Sequence, residues 1–218
     1  MHVAVLSTEH VLQQGSAQHA WLEGDLAAVR REDTPWLLVA GHRPLYVDAD
    51  DAGEPGGKQA GAALLRGAIE DLLERHGVDV ALSGHHHSYQ RSCPVFQGVC
   101  QEPKGAAEAD AKRRRHGTVH VCFGNGGAEL YHNQMPQRPR WAAFEEVTKH
   151  GHVRIHADAE RFQLQAIEAK TGEVFDEVVL TRKKDGAEAD VHPPGHGVQE
   201  PVNAGFSKSE WGRWAATF

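Results

Sequence analysis

The sequence predicts an α/β fold with a late antiparallel β meander, and three observations carry that prediction. Two short apolar runs, 36–40 and 78–82, flank a helical pattern over 59–76, the strand–helix–strand order of a parallel pair. Both runs end in Gly-His, at Gly41-His42 and Gly84-His85, so polar side chains are delivered where buried strands stop. Downstream, 152–156, 161–167 and 174–180 read as three strands separated by turn signals.

Taken in order, 3–6 reads as a strand. Ser16 can cap a helix over 16–31, with Ala20, Trp21, Leu22, Leu26 and Val29 as its apolar stripe. The strand 36–40 follows, then an acidic, glycine-rich loop at 47–57. In the helix 59–76, Leu64, Leu65, Ile69, Leu72 and Leu73 are expected to face inward, with Gly77 at the C′ position. The strand 78–82 leads to the motif His85-His86-His87. A loop at 101–116 carries the basic run Lys112 to Arg115, read as solvated surface, and 118–123 is a strand in which Cys122 is a packed core residue. Beyond Lys183, glycine, proline, histidine and acidic residues predict disorder, apart from an apolar end at Trp211, Trp214 and Phe218.

A chain of 218 residues suits one domain plus appendages, and 40% hydrophobic residues suffice for a core. The net charge of −7 argues against a nucleic-acid or anionic-membrane partner. There is no apolar run long enough to span a bilayer, and the first residues lack the pattern of a signal peptide.

With 16 histidines, some fall together by chance, and a lone histidine is ordinarily a surface or hydrogen-bonded residue. That reading is preferred for His2, His19, His76, His116, His150, His152, His192 and His196. His85 and His87 differ, because an H-x-H pair off a strand end can aim two imidazoles at one small volume. Neutral imidazole suits zinc, iron and related ions.

The two Gly-His segments also resemble one family. Val39-Ala40-Gly41-His42, continuing through Pro44 and Tyr46, and Gly84-His85-His86-His87 with Tyr89 and Arg91 look like the last two metal-binding motifs of the purple acid phosphatases, V-x-x-H and G-H-x-H. The flanks agree: Ser7 to His10, Gly15-Ser16 with Gln18, Trp21 to Glu23, Thr34 to Trp36, Gly117 to Val121 with Gly124 to Gly127, and Trp141 to Phe144. The resemblance runs from about residue 3 to about residue 183. It implies part of a metallophosphatase β/α/α/β sandwich, its C-terminal half, with residues 1–116 belonging to the catalytic domain, 117–183 to the family's C-terminal β region and 184–218 to a tail. Cys93 and Cys100 stand where long members of the family often carry a pair. A local disulfide and two reduced thiols are both open readings, the first implying an oxidising compartment.

By the same resemblance, the parent reaction is hydrolysis of phosphate monoesters by a metal-bound hydroxide, in a secreted or vacuolar enzyme holding a ferric and a divalent ion (zinc, manganese or iron). His42 and His85 resemble ligands of the divalent ion, and His87 resembles a ligand of the ferric ion. His86, Tyr89 and His10 are expected at the substrate rim or behind the ligands. The family's other motifs, D-x-G, G-D-x-x-Y and G-N-H-[DE], are not matched. Asp51-Ala52-Gly53 lies in the wrong order, Gly24-Asp25 meets Ala28 where tyrosine is needed, and Gly124-Asn125 is followed by glycines. The consecutive histidines that some members carry after the first motif are replaced by Asp50-Asp51-Ala52. Three neutral imidazoles cannot offset a ferric and a divalent ion side by side in a low-dielectric pocket. One divalent ion at most is therefore expected. The rival readings are another calcineurin-like phosphodiesterase, disfavoured by the flanks around Trp21, Gly117 to Gly127 and Trp141, and a non-catalytic metal-binding or partner-binding remnant. The reading as half a domain also predicts apolar surface covered by a partner or an oligomer.

Overall fold

The computed structural model describes residues 1–50, 59–101, 116–182 and 190–192. Its larger sheet contains β1 (His2–Val5), β2 (Leu37–Ala40), β3 (Val80–Ser83), β4 (Tyr89–Phe96), β5 (Val99–Cys100), β6 (Thr118–Phe123) and β7 (Ala142–Glu146). The order is β1-β2-β3-β6-β4-β5, with β7 also on β4. β1, β2, β3 and β6 run parallel, and β4 reverses the direction against β6. The smaller sheet is antiparallel, β8 (Gly151–Ala157), β9 (Arg161–Glu168), β10 (Val174–Thr181) and β11 (Asp190–His192), in the order β11-β10-β9-β8.

The helices α1 (Ala17–Ala27) and α2 (Ala60–His76) start where the sequence placed them, but α1 ends at Ala27, short of the expected end at Arg31. The Ser16 hydroxyl accepts the His19 N–H at 3.1 Å, a side-chain N-cap. Gly77 closes α2 in the left-handed region at φ 61°, which a residue without Cβ adopts freely. Leu65, Ile69, Leu72 and Leu73 are buried, whereas Leu64 is exposed. It stands off the 65/69/72/73 stripe, so the expectation that it faces inward is corrected. Trp21 is half exposed for the same reason, one step from the buried Leu22 and Leu26.

Two cores meet at the larger sheet. Leu37, Val39 and Val78 pack on one face with Leu22, Leu26, Ile69 and Leu73 from the helices. On the other face Trp36, Leu38, Val80 and Val121 pack against Phe162, Leu164 and Val178 of the smaller sheet. Strands buried on both faces read as continuous apolar runs, which is why 36–40 and 78–82 were legible. The α/β class with a late antiparallel sheet is as expected. The layers, however, run helices, larger sheet, smaller sheet, so α1 and α2 flank the sheets instead of lying between them.

Polar ties also join the sheets. The Trp36 indole N–H donates to the Asp158 carbonyl at 2.6 Å. Arg91, 6% exposed, gives Asp176 a two-point ion pair at 2.6 and 2.8 Å, and the Tyr89 hydroxyl donates to the same carboxylate at 2.7 Å. Three elements were not anticipated: β4, β5 and β7. The tail reading is corrected at β11, which pairs with β10 through Val179, Leu180 and Thr181. The remaining tail residues, the acidic loop beyond Asp50 and the Lys112 to Arg115 run lie outside the described residues. Cys93 and Cys100 are bonded to one another across the β4–β5 hairpin, with 5.7 Å between their Cα atoms. Cys122 is buried and outside any disulfide, its thiol donating to the Gly84 carbonyl at 2.9 Å, and burial pushes that thiol up to about 11. No described helix is long and apolar enough to cross a membrane.

Candidate metal centre

β2 and β3 are adjacent and parallel, so the residues following them emerge side by side. The pairing continues past the strands: the Gly41 N–H donates to the Leu82 carbonyl and the Gly84 N–H to the His42 carbonyl, both at 3.0 Å. That register sets His42 against His85. Their rings meet edge to face at 4.9 Å between centroids, with His42 Nε2 and His85 Nδ1 3.1 Å apart. His85 holds φ 63°, uncommon for a residue with a side chain and characteristic of positions whose conformation is fixed by function or surroundings. Glycine at 124 lets its loop close on the backbone of the motif: a Cβ there would fall on the His86 carbonyl oxygen.

Arg43 completes the rim. Its backbone N–H donates to Thr8 Oγ1 at 2.9 Å, and its Nε donates to Glu9 at 2.7 Å. One Nη lies 3.4 Å from His85 Nε2. The guanidinium holds the exposed Glu9 carboxyl below the usual range. Burial, then the charge of Arg43, lowers the His85 imidazole, so the neutral ring is favoured.

His87 does not join the pair. Its Nδ1 lies 2.9 Å from the Glu129 carbonyl and its ring stacks on Tyr131. Among the described residues, no three His, Cys, Asp or Glu side chains stand together in metal-binding geometry. The expected convergence of three imidazoles is thus a convergence of two. His86 is 5% exposed, with Nδ1 at 2.8 Å from Ser88 Oγ and Nε2 at 3.0 Å from Asn133 Oδ1, so it braces the motif from behind. Tyr89 is corrected from the rim to the core, since it is 1% exposed and committed to Asp176. His10 is exposed and bonded to Ser7 Oγ at 2.6 Å. Arg43, Glu129, Tyr131 and Asn133 were not singled out from the sequence. Arg43 alone had a signal, as the cation directly after a candidate ligand.

The donor set fits one divalent ion in part. Two imidazole nitrogens sharing a tetrahedral zinc at about 2.0–2.1 Å would be about 3.3 Å apart, close to the observed separation. A ferric ion beside it does not fit. Glu9 is tied to Arg43, Tyr46 donates to Glu70 and Tyr89 to Asp176, leaving no carboxylate or tyrosinate with the imidazoles among these partners.

Comparison with known proteins identifies the two parts of the chain. Residues 4–89 match the calcineurin-like phosphoesterase family, and residues 117–177 match the C-terminal part of iron/zinc purple acid phosphatase-like proteins. The two matches occupy, in order, the Gly-His strands and the late sheet. The chain belongs to the purple acid phosphatase family. It is 30% identical to "Probable inactive purple acid phosphatase 1" of Arabidopsis thaliana over 82% of its own length and 28% of that protein. It is 31% identical to human "Acid phosphatase type 7", over 83% of this chain and 44% of that one. A purple acid phosphatase from yellow lupin (Lupinus luteus) seeds superposes with a TM-score of 0.71 at 29% identity, covering 84% of this chain and 31% of the lupin protein. The chain thus spans less than half the length of each of these purple acid phosphatase relatives.

Proposed function

We propose that the strand ends of β2 and β3 carry the imidazole edge of a phosphate-monoester hydrolase site, with His42 and His85 holding one divalent ion. The observation that carries this reading is the His42–His85 pair, set by the parallel register at the carboxyl end of the sheet beside Arg43. Open α/β sheets bind ligands at that end. A divalent ion there would supply Lewis-acid polarisation of a phosphoryl oxygen. Arg43 presents a planar donor array suited to a phosphate, and Glu9 restrains the guanidinium. His85, favoured as the neutral ring, offers a lone pair where a charged imidazolium would repel a cation. The Cys93–Cys100 bond supports an oxidising compartment for the protein.

A second reading, a mononuclear, non-catalytic metal-binding remnant, is favoured by one observation: among the described residues, no third His, Cys, Asp or Glu joins the pair, and Glu9 is tied to Arg43. Several relatives bear the name "probable inactive" purple acid phosphatase, which accords with it. Titration of the chain with inorganic phosphate, with and without zinc, tests the site itself. Zinc-dependent binding that is lost in His85→Ala and weakened in Arg43→Ala supports the proposal. Phosphate binding indifferent to zinc and to His85 contradicts it. Hydrolysis of an aryl phosphate, abolished by His85→Ala, separates the two readings in favour of catalysis.

A further inference from the structure

Beneath the rim formed by Arg43, a small cavity lies between α2 and the larger sheet. Its polar wall is made by Thr8, Arg43, Ser83 and His120, and Val39, Ile69 and Leu82 supply apolar wall. The cavity has a volume of about 20 Å³ for the centre of a water molecule, and one water requires roughly 10–15 Å³.

His120 is the group on this wall that the proposed function leaves without a task. It stands on β6 and is 5% exposed. Its backbone N–H donates to Ser92 Oγ at 2.8 Å, and its ring packs against Tyr46 at 4.7 Å between centroids. Neither ring nitrogen has a hydrogen-bond partner among the described residues. Burial, then the charge of Arg66, holds the imidazole down at about 3, so the ring is neutral and presents one donor and one acceptor. Leaving both unmet in the interior is costly, and buried polar groups are ordinarily satisfied by protein or by ordered water. Ser83, on the same wall, donates its hydroxyl to the Val121 carbonyl at a long 3.4 Å, and its oxygen can accept as well.

We propose that this cavity is a hydration site holding one water molecule, hydrogen-bonded to the His120 ring and to the Ser83 hydroxyl beneath Arg43. Size and chemistry together select the occupant. A phosphate or an organic molecule is too large for the space. A metal cation would meet a single imidazole and the repelling charge of the Arg43 guanidinium. Water both donates and accepts, so it matches His120 in either tautomer. The bound water ties β6 to Ser83, two residues before His85, and so supports from below the strand end that presents the imidazole pair. The site does not depend on metal binding at His42 and His85.

The test is water–methyl NOE spectroscopy of the chain labelled with ¹³C in its Val, Leu and Ile methyl groups. In the wild type, the methyls of Val39, Ile69 and Leu82 should show cross-peaks to water with the sign of a rigidly held molecule. His120→Leu makes this wall apolar, and so small an apolar cavity stays dry. The cross-peaks should therefore be lost in that variant while the other methyl resonances keep their positions. Ser83→Ala, which keeps the imidazole and removes one partner of the water, should weaken them, and it decides the question if His120→Leu does not fold. A wild type without water cross-peaks at these methyls overturns the proposal. So do cross-peaks undiminished in a folded His120→Leu or, failing that variant, in Ser83→Ala.

Discussion

Replacing Glu145 by glutamine should remove a pH dependence from the stability of the fold. Asp48, 1% exposed, follows the His42 segment, and Glu145 lies on β7. Asp48 Oδ2 and Glu145 Oε1 are both buried and neither meets a donor. Burial, followed by the hydrogen bond and the charge of Asp48, pushes the Glu145 carboxyl from 4.5 up to about 7, with Arg138 opposing. A proton held between the two carboxyls satisfies both oxygens. Because the folded pKa lies above the unfolded one, this contribution is fully present below pH 4.5 and is lost as pH rises through about 7. At 1.36 kcal/mol for each pH unit the ideal contribution is about 3 kcal/mol, and residual water contact at Glu145 reduces the expectation to about 2–3 kcal/mol. Urea denaturation of the wild type and Glu145→Gln across that pH window measures it. The wild type should lose about 2–3 kcal/mol relative to the variant as pH rises, because the glutamine amide donates at every pH. Parallel stability curves for the two proteins would refute the shared proton.

Other consequences follow from the sheet ties and the disulfide. Asp176→Ala leaves Arg91 buried without its partner and should cost about 3–5 kcal/mol in denaturation, while Arg91→Met combined with Asp176→Leu should come close to wild type. If the double substitution costs as much as the single one, the ion pair is not what the site requires. Cys93→Ser with Cys100→Ser opens a short loop and should lower stability by about 2–3 kcal/mol, read as a fall in Tm; an unchanged Tm would mean the hairpin is held by β4–β7 pairing instead.

The legible parts of the fold were those in which one force decides. β2, β3 and β6 are buried on both faces, so their sequences are apolar throughout, and the capped helices announce their ends at Ser16 and Gly77. β4 was missed because its buried side chains are largely polar and find partners far along the chain. Gln90 bonds Asp48, Arg91 bonds Asp176, and Ser92 accepts the His120 N–H. Hydrophobic periodicity is silent where burial is satisfied by long-range hydrogen bonds. The His42–His85 encounter was foreseeable from two strand ends with equal Gly-His endings. The course of His87 was not, since it depends on a carbonyl and a ring 42 and 44 residues away, at Glu129 and Tyr131. Tyr89 misled because its place beside the motif says nothing of its direction, which alternates inward along β4 to Asp176.

As proposed, this chain holds one divalent ion through His42 and His85 and no ferric ion beside it. Equilibrium dialysis against zinc, with metal counted per chain, measures it most directly. One zinc per chain, lost in both His42→Ala and His85→Ala, with no visible charge-transfer colour after addition of iron, is the predicted result. Two tightly held metals per chain, or zinc retained by both variants, would contradict it.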